Sequence, residues 1–333
     1  MKKSKGLKVT ALVLAMIAVF LLVINSIPPE KSVEKNPFLV EEGSRPLIAA
    51  HRGGAINNPE NTMLAFREAI LTAGVDILES DLHLTKDGYL VFNHDNYIDE
   101  TCDINGDIPL EEVQKRCEDP KNRHYISNMT LAELRQYNFG YYFVDKNGNR
   151  PYQNTEDPAA LGLQIATVDQ LFEEFYESHP ELLFIVEIKG SESRGINGCK
   201  ALWKILKQYP AYIDRMVVGT FHDEVEDFLR SNYPKLLRGA STGSAVAFVA
   251  AQLFRVDYFF DAEFACLQIP PVPLGVTGKH LVTQAHKRNI AVQFWTINEE
   301  AQMRRLIEQG CDCIMTDDPI LLRQVMKEYD LLP

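Results

Sequence analysis

The chain has 333 residues, 46% hydrophobic and 24% charged, which is globular composition and excludes a disordered class. A net charge of −12 argues against a nucleic-acid partner and against flat adhesion to anionic lipid.

Lys2, Lys3, Lys5 and Lys8 precede an uncharged apolar run from Val9 to Ile27. As a helix this run spans about 28 Å, close to the roughly 30 Å hydrocarbon core of a bilayer. It is longer than a usual secretory apolar region, and no A-x-A cleavage site follows it. Residues 1–27 therefore read as an N-terminal transmembrane helix, with a cleaved signal peptide as the alternative. The lysines stay cytoplasmic, so the body is expected on the extracytoplasmic side of the membrane, or secreted if the leader is cleaved. Residues 28–46 are polar and rich in Pro and Glu, without apolar periodicity, and predict a linker or stalk.

From Leu47 onward, short apolar runs alternate with helical patterns. Leu47–Ala50, Ile77–Leu84, Leu182–Ile188, Met216–Thr220, Ile290–Trp295 and Cys313–Thr316 read as buried strands. After Pro59 an amphipathic stretch carries Leu64, Phe66, Ala69 and Ile70, and Gly74 closes it. Another follows Thr167, an expected N-cap, through Leu171, Phe172 and Phe175. The alternation predicts a parallel α/β fold over residues 47–333, either one barrel or two small domains.

Residues 96–163 break that rhythm with Asp, Asn, Gly and Tyr, and read as an insertion over one barrel mouth. Asp103-Ile104-Asn105-Gly106 and Asp145-Lys146-Asn147-Gly148 begin like calcium loops but lack the later ligands, so both read as turns. Cys102 and Cys117 bracket part of this segment, open to a local disulfide or to two free thiols. Cys311-Asp312-Cys313 reads as small buried residues beside a strand.

The chemistry-bearing residues fall at strand ends. Leu47–Ala50 runs directly into His51-Arg52-Gly53-Gly54, at the end where parallel α/β folds place their sites. In Ile77–Leu84, alternation puts Glu79, Asp81 and His83 on one face. Two carboxylates side by side on an apolar strand repel each other and lose hydration, penalties that a divalent cation relieves. Asp87-Gly88 turns the chain, and Leu90-Val91-Phe92 delivers Asn93-His94-Asp95. Glu187 and Lys189 share a face at the end of the next buried run, and Gln293 and Trp295 share one later. Closed into a barrel, these exits converge on one mouth. Metal, arginine and lysine there suit a phosphate, and two histidines suit acid and base.

A rival set also exists. Gly239-Ala240-Ser241-Thr242-Gly243 fits the G-x-S-x-G elbow of a serine hydrolase, with Asp261 and His286 following in suitable order.

His51-Arg52-Gly53, Pro59-Glu60-Asn61-Thr62, Glu79-x-Asp81 with Thr85-Lys86-Asp87-Gly88, His94-Asp95, Glu187-Ile188-Lys189, Trp295-Thr296-Ile297-Asn298 and Asp317-Asp318-Pro319 together resemble the glycerophosphodiester phosphodiesterase family. The resemblance covers about Leu47 to Leu322. It implies a TIM (β/α)8 barrel with an insertion after the His94 strand. The implied reaction is hydrolysis of glycerophosphodiesters to sn-glycerol 3-phosphate and an alcohol. His51 and His94 match the family's catalytic pair. Glu79, Asp81 and Glu187 match ligands of a divalent metal, calcium or magnesium. Arg52 and Lys189 match phosphate contacts, and Gln268 and Trp295 match pocket-lining positions. His83 stands where the family often has a small apolar residue. The long Tyr-rich insertion, with an expected anchor, keeps open a lysophospholipase D or sphingomyelinase D-like action on membrane lipids.

Overall fold

Alternation along each strand builds two apolar layers, and the fold uses both. In a computed structural model that describes residues 10–16, 19, 20, 23, 27–254, 256, 260, 262–272 and 277–332, eight parallel strands form a barrel. They are β1 (Leu47–Ala50), β2 (Ile77–Leu84), β4 (Leu183–Ile188), β5 (Met216–Gly219), β6 (Leu237–Arg238), β7 (Cys266–Ile269), β8 (Ala291–Phe294) and β9 (Cys313–Thr316). The order is β6-β5-β4-β2-β1-β9-β8-β7, and β3 (Leu90–Phe92) adds antiparallel to β2. A parallel bridge between Gly239 and Cys266 draws β6 toward β7 and nearly closes the ring.

Ile48, Leu78, Phe184, Val186, Val292 and Ile314 point outward into one large core shared with the helices. Ala49, Ile77, Ile185, Ala291, Cys313 and Met315 point inward and fill the lower barrel. Register then fixes what stands above them. Asp81 lies opposite Glu187, and Glu79 opposite Ile185.

The helices start where capping residues permit. Thr62 accepts from the Ala65 N–H to open Met63–Arg67, which continues as a π turn over Glu68–Thr72. Thr167 accepts from Gln170 N–H in the same way.

The expected stalk is in part a strap across the barrel floor. Ser32 Oγ donates to Phe264 O at 2.6 Å, Asn36 Nδ2 to Ala265 O and Asn289 O at 2.8 Å each, and Val40 N–H to Asp312 Oδ1 at 2.9 Å. All four acceptors immediately precede strands β7, β8 and β9. Phe38, fully buried, plugs the inner apolar layer from below. A single phenylalanine in a polar segment has no period, and the partners of the strap come from distant strands.

The expected transmembrane helix lies largely outside the described residues. Thr10–Met16 is helical, and among the described residues no helix is long and apolar enough to cross a membrane.

The segment 96–163 folds on two small apolar clusters of its own. Cys102 and Cys117 belong to different clusters and are free thiols, as are the other four cysteines. The Asp145 carboxylate accepts from Asn147 N–H and Asn149 N–H, which makes 145–148 a turn. Lys146 on that turn reaches Asp318 Oδ2 at 2.6 Å, tying the insertion to the β9 exit.

Candidate active site

The exit of β1 is a tight turn with positive φ at Arg52, Gly53 and Gly54 (52°, 83° and 93°). Side chains at the two glycines would crowd Ala65 and Pro319, at 3.0 and 3.1 Å from a Cβ. The turn aims the Arg52 N–H at Glu79 Oε2, 3.1 Å away, and leaves His51 at the mouth. His51 Nδ1 sits 2.6 Å from Asp317 Oδ1, and Nε2 sits 3.9 Å from Glu79 Oε2. Asp317 is held in turn. Its Oδ2 accepts from Asn298 Nδ2 at 2.6 Å, and its N–H donates to Asn298 Oδ1 at 2.9 Å.

Burial works against a charged His51. The Asp317 hydrogen bond and the nearby carboxylates outweigh it, so the imidazole is raised above its ordinary value. Burial pushes Asp317 the other way, but the His51 hydrogen bond wins and its carboxyl is lowered.

Glu79 and Asp81 stand two residues apart on β2, both buried, with Glu187 across from Asp81. Burial, then the charge of Asp81, pushes Glu79 up to about 7. Burial raises Glu187 against the opposing pull of Lys189. Lys189 Nζ lies 3.0 Å from Asp81 Oδ1 and 3.0 Å from Glu187 Oε2. Arg52 pairs with Glu60 at 3.1 Å, while its Nε faces Asp81 Oδ2 at 3.8 Å. Those last two atoms are buried without a hydrogen-bond partner.

His94 leaves β3 half-buried, with Nδ1 3.1 Å from Asp95 Oδ1. That contact, chiefly its hydrogen bond, lowers the Asp95 carboxyl. His83 bonds the His94 carbonyl at 3.2 Å, and burial lowers its imidazole, so it braces the His94 loop as a neutral ring. Trp295 is 39% exposed at the β8 exit, where its peptide to Thr296 is cis. Gln268 donates to Gln293 Oε1 at 3.1 Å.

The sequence reading assigned no role to Asp317, Asn298, Glu60 or Asp95. Each lies in one of the motifs named above, but only the contacts give them partners. The rival serine set is not assembled. Ser241 follows β6 and bonds Ser244. His286 precedes β8 at the opposite end of the barrel and pairs with Asp312 at 2.8 Å. Asp261 lies outside the described residues.

The donor set suits a hard cation. It offers three carboxylates, one raised to about 7 by burial and by its neighbour, and another with an unpartnered buried oxygen. Among the described residues no three His, Cys, Asp or Glu side chains converge closely enough to hold a metal ion as they stand. The Lys189 ammonium occupies the gap between Asp81 and Glu187.

Known proteins resemble this chain in sequence and fold. A glycerophosphodiester phosphodiesterase of Caldanaerobacter subterraneus subsp. tengcongensis is 26% identical over 283 residues, spanning 85% of this chain and 98% of the relative. A lysophospholipase D of Mus musculus is 25% identical over 311 residues, covering 84% of this chain and 86% of the relative. The fold matches a crystal structure from Silicibacter pomeroyi described as a glycerophosphoryl diester phosphodiesterase, with TM-score 0.65 and 19% identity over 89% of this chain and 99% of that one. It also matches an Oleispira antarctica phosphodiesterase in complex with the product sn-glycerol-3-phosphate, with TM-score 0.59 and 21% identity over 86% and 97% of the chains. The model of the glycerophosphoryl diester phosphodiesterase family matches residues 51–321, so the chain belongs to that family of enzymes hydrolysing glycerophosphodiesters.

Proposed function

We propose that this enzyme releases sn-glycerol 3-phosphate and an alcohol from soluble glycerophosphodiesters, with His51 and His94 as its acid–base pair. The observation that carries this reading is the His51–Asp317 contact at 2.6 Å beside the carboxylate cluster. A carboxylate only accepts, so a neutral His51 donates from Nδ1 and presents a bare Nε2 to the mouth. That nitrogen can take a proton, and the imidazolium it becomes is already supported by Asp317.

Glu79, Asp81 and Glu187 would hold a divalent cation, calcium or magnesium. Such an ion supplies positive charge against the phosphate. Arg52 and Lys189 add fixed charge on the same side. One histidine removes the proton of the nucleophile, either water or the 2-hydroxyl of the substrate. The other protonates the departing alcohol. Chelator should abolish turnover and added ion restore it. Full activity in excess EDTA would sink the metal part of this reading.

A second reading rests on the rim. Phe221 (66% exposed), Val246 (65%), Val272 (44%) and Trp295 (39%) follow β5, β6, β7 and β8 in turn. Exposed apolar side chains after these strands suit a lysolipid, and one relative is a lysophospholipase D. Product analysis on glycerophosphocholine against lysophosphatidylcholine separates the readings. Preference for the lysolipid would replace the first with the second.

The lysines and apolar run of residues 2–27 support a membrane anchor with an extracytoplasmic body. The strap brings the chain to the barrel floor, so the mouth would face away from that membrane. N-terminal sequencing of the mature protein tests this, and a start near Ser32 would defeat it.

A further inference from the structure

Asp81 and Glu187 are register partners on neighbouring parallel strands, and both side chains enter the barrel. Like charges so placed destabilise a sheet. Lys189 offsets that cost. It lies two residues beyond Glu187 on the same face, and its stem folds back over its own strand. The ammonium rests 3.0 Å from each carboxylate, turned toward the protein rather than toward the open mouth.

Building on the metal reading above, we infer that Lys189 is an internal counter-ion. It holds the Asp81–Glu187 pair until it gives way to a divalent cation, and the ammonium so released meets the substrate phosphate. Cation binding therefore precedes phosphodiester binding, because the phosphate contact is occupied by the protein's own carboxylates until then.

The neighbouring cation behaves differently. Arg52 is committed to Glu60, with Nη1 3.3 and 3.1 Å from the two carboxylate oxygens. Its Nε stops 3.8 Å short of Asp81 Oδ2, and both atoms lack a hydrogen-bond partner. Asp81 thus keeps one oxygen engaged by Lys189 and one buried without a hydrogen bond, faced by Arg52 at 3.8 Å. That oxygen has no hydrogen bond to give up when an ion joins the cluster. Chemistry also favours lysine for an exchangeable role. A compact ammonium on a four-carbon stem can swing between partners, whereas a guanidinium fork is fixed by its geometry.

The test uses calorimetric titration of magnesium, and separately calcium, into the full chain and into Lys189→Met and Arg52→Met. Melting temperatures are taken with and without the ion. Lys189→Met should bind the ion about ten-fold more tightly or better, because a competing cation is gone. It should melt lower than the unsubstituted chain without ion and recover when saturated. Arg52→Met makes the same change in charge without touching Glu187, and should tighten ion binding far less. Lys189→Met binding no tighter than the unsubstituted chain, or gaining only what Arg52→Met gains, would overturn the counter-ion role. Failure of all three chains to bind either ion would overturn the metal reading itself.

Discussion

His51 and Asp317 are 266 positions apart and share a 2.6 Å hydrogen bond that joins the exit of the first strand to the exit of the last. Strands β1 and β9 pair directly, with Ala50 opposite Thr316, so the next residue on each meets at the mouth. Barrel closure therefore makes this pair. It fixes the imidazole orientation, raises His51 and lowers Asp317.

Asp317→Asn should move one limb of the pH profile of kcat/KM to lower pH. Removing Asp317 leaves burial, which lowers His51, opposed only by the charge of Glu79. The direction holds whether His51 is acid or base. Stability follows the same contact. His51 is raised, so its contribution is complete below its unfolded value and is lost as pH rises through the folded one. Asp317 is lowered, so its contribution is present above its unfolded value and is lost as pH falls through the folded one. The substitution should thus cost most between about pH 4 and 6.5. Melting temperatures across pH check this, and a uniform loss would count against it.

His51→Ala and His94→Ala should each reduce kcat/KM by about a thousand-fold, and His51→Ala should also melt lower because it loses the Asp317 contact. A substrate with a nitrophenolate leaving group assigns the roles. It needs no acid, so only the variant lacking the general acid should recover turnover on it. Equal recovery in both variants would contradict the division of labour.

Phe38→Ala should destabilise the protein by about 3–5 kcal/mol through the cavity left in the barrel floor. Activity per folded molecule should hold, since the strap lies at the end opposite the histidines. Denaturant unfolding and active-site titration would measure the two effects separately.

Ser241→Ala should retain full turnover. Its hydroxyl bonds Ser244 at the start of the Thr242–Phe254 helix, and His286 is engaged by Asp312 at the far end of the barrel. Loss of more than about ten-fold would revive a hydrolytic role for this serine.

Much of the barrel was legible because its information is local. Ile77–Leu84 alternates strictly enough that Glu79, Asp81 and His83 could be assigned to one face from spacing alone, and register sets Glu79 opposite Ile185, Asp81 opposite Glu187 and His83 opposite Val91 of β3. Leu236-Leu237-Arg238 already reads as strand-like ahead of Gly239, whereas Cys266–Ile269 is a short strand that follows an apolar helix and carries no mark of its own. There periodicity does not separate strand from helix.

The strap shows the opposite case. Residues 28–46 look like a stalk because polar composition and absent period are read from neighbours. Their partners are carbonyls and a carboxylate between 229 and 272 positions away. Nothing local marks Phe38 as a plug.

The sequence by itself determined that two histidines, three carboxylates, an arginine and a lysine stand on strands or at their exits, because strand alternation and turn chemistry are properties of adjacent residues. Only the tertiary structure decided who holds whom: Asp317 with His51, Glu60 with Arg52, Lys189 between Asp81 and Glu187. Pairings between distant strands depend on register and closure, which no window along the chain contains.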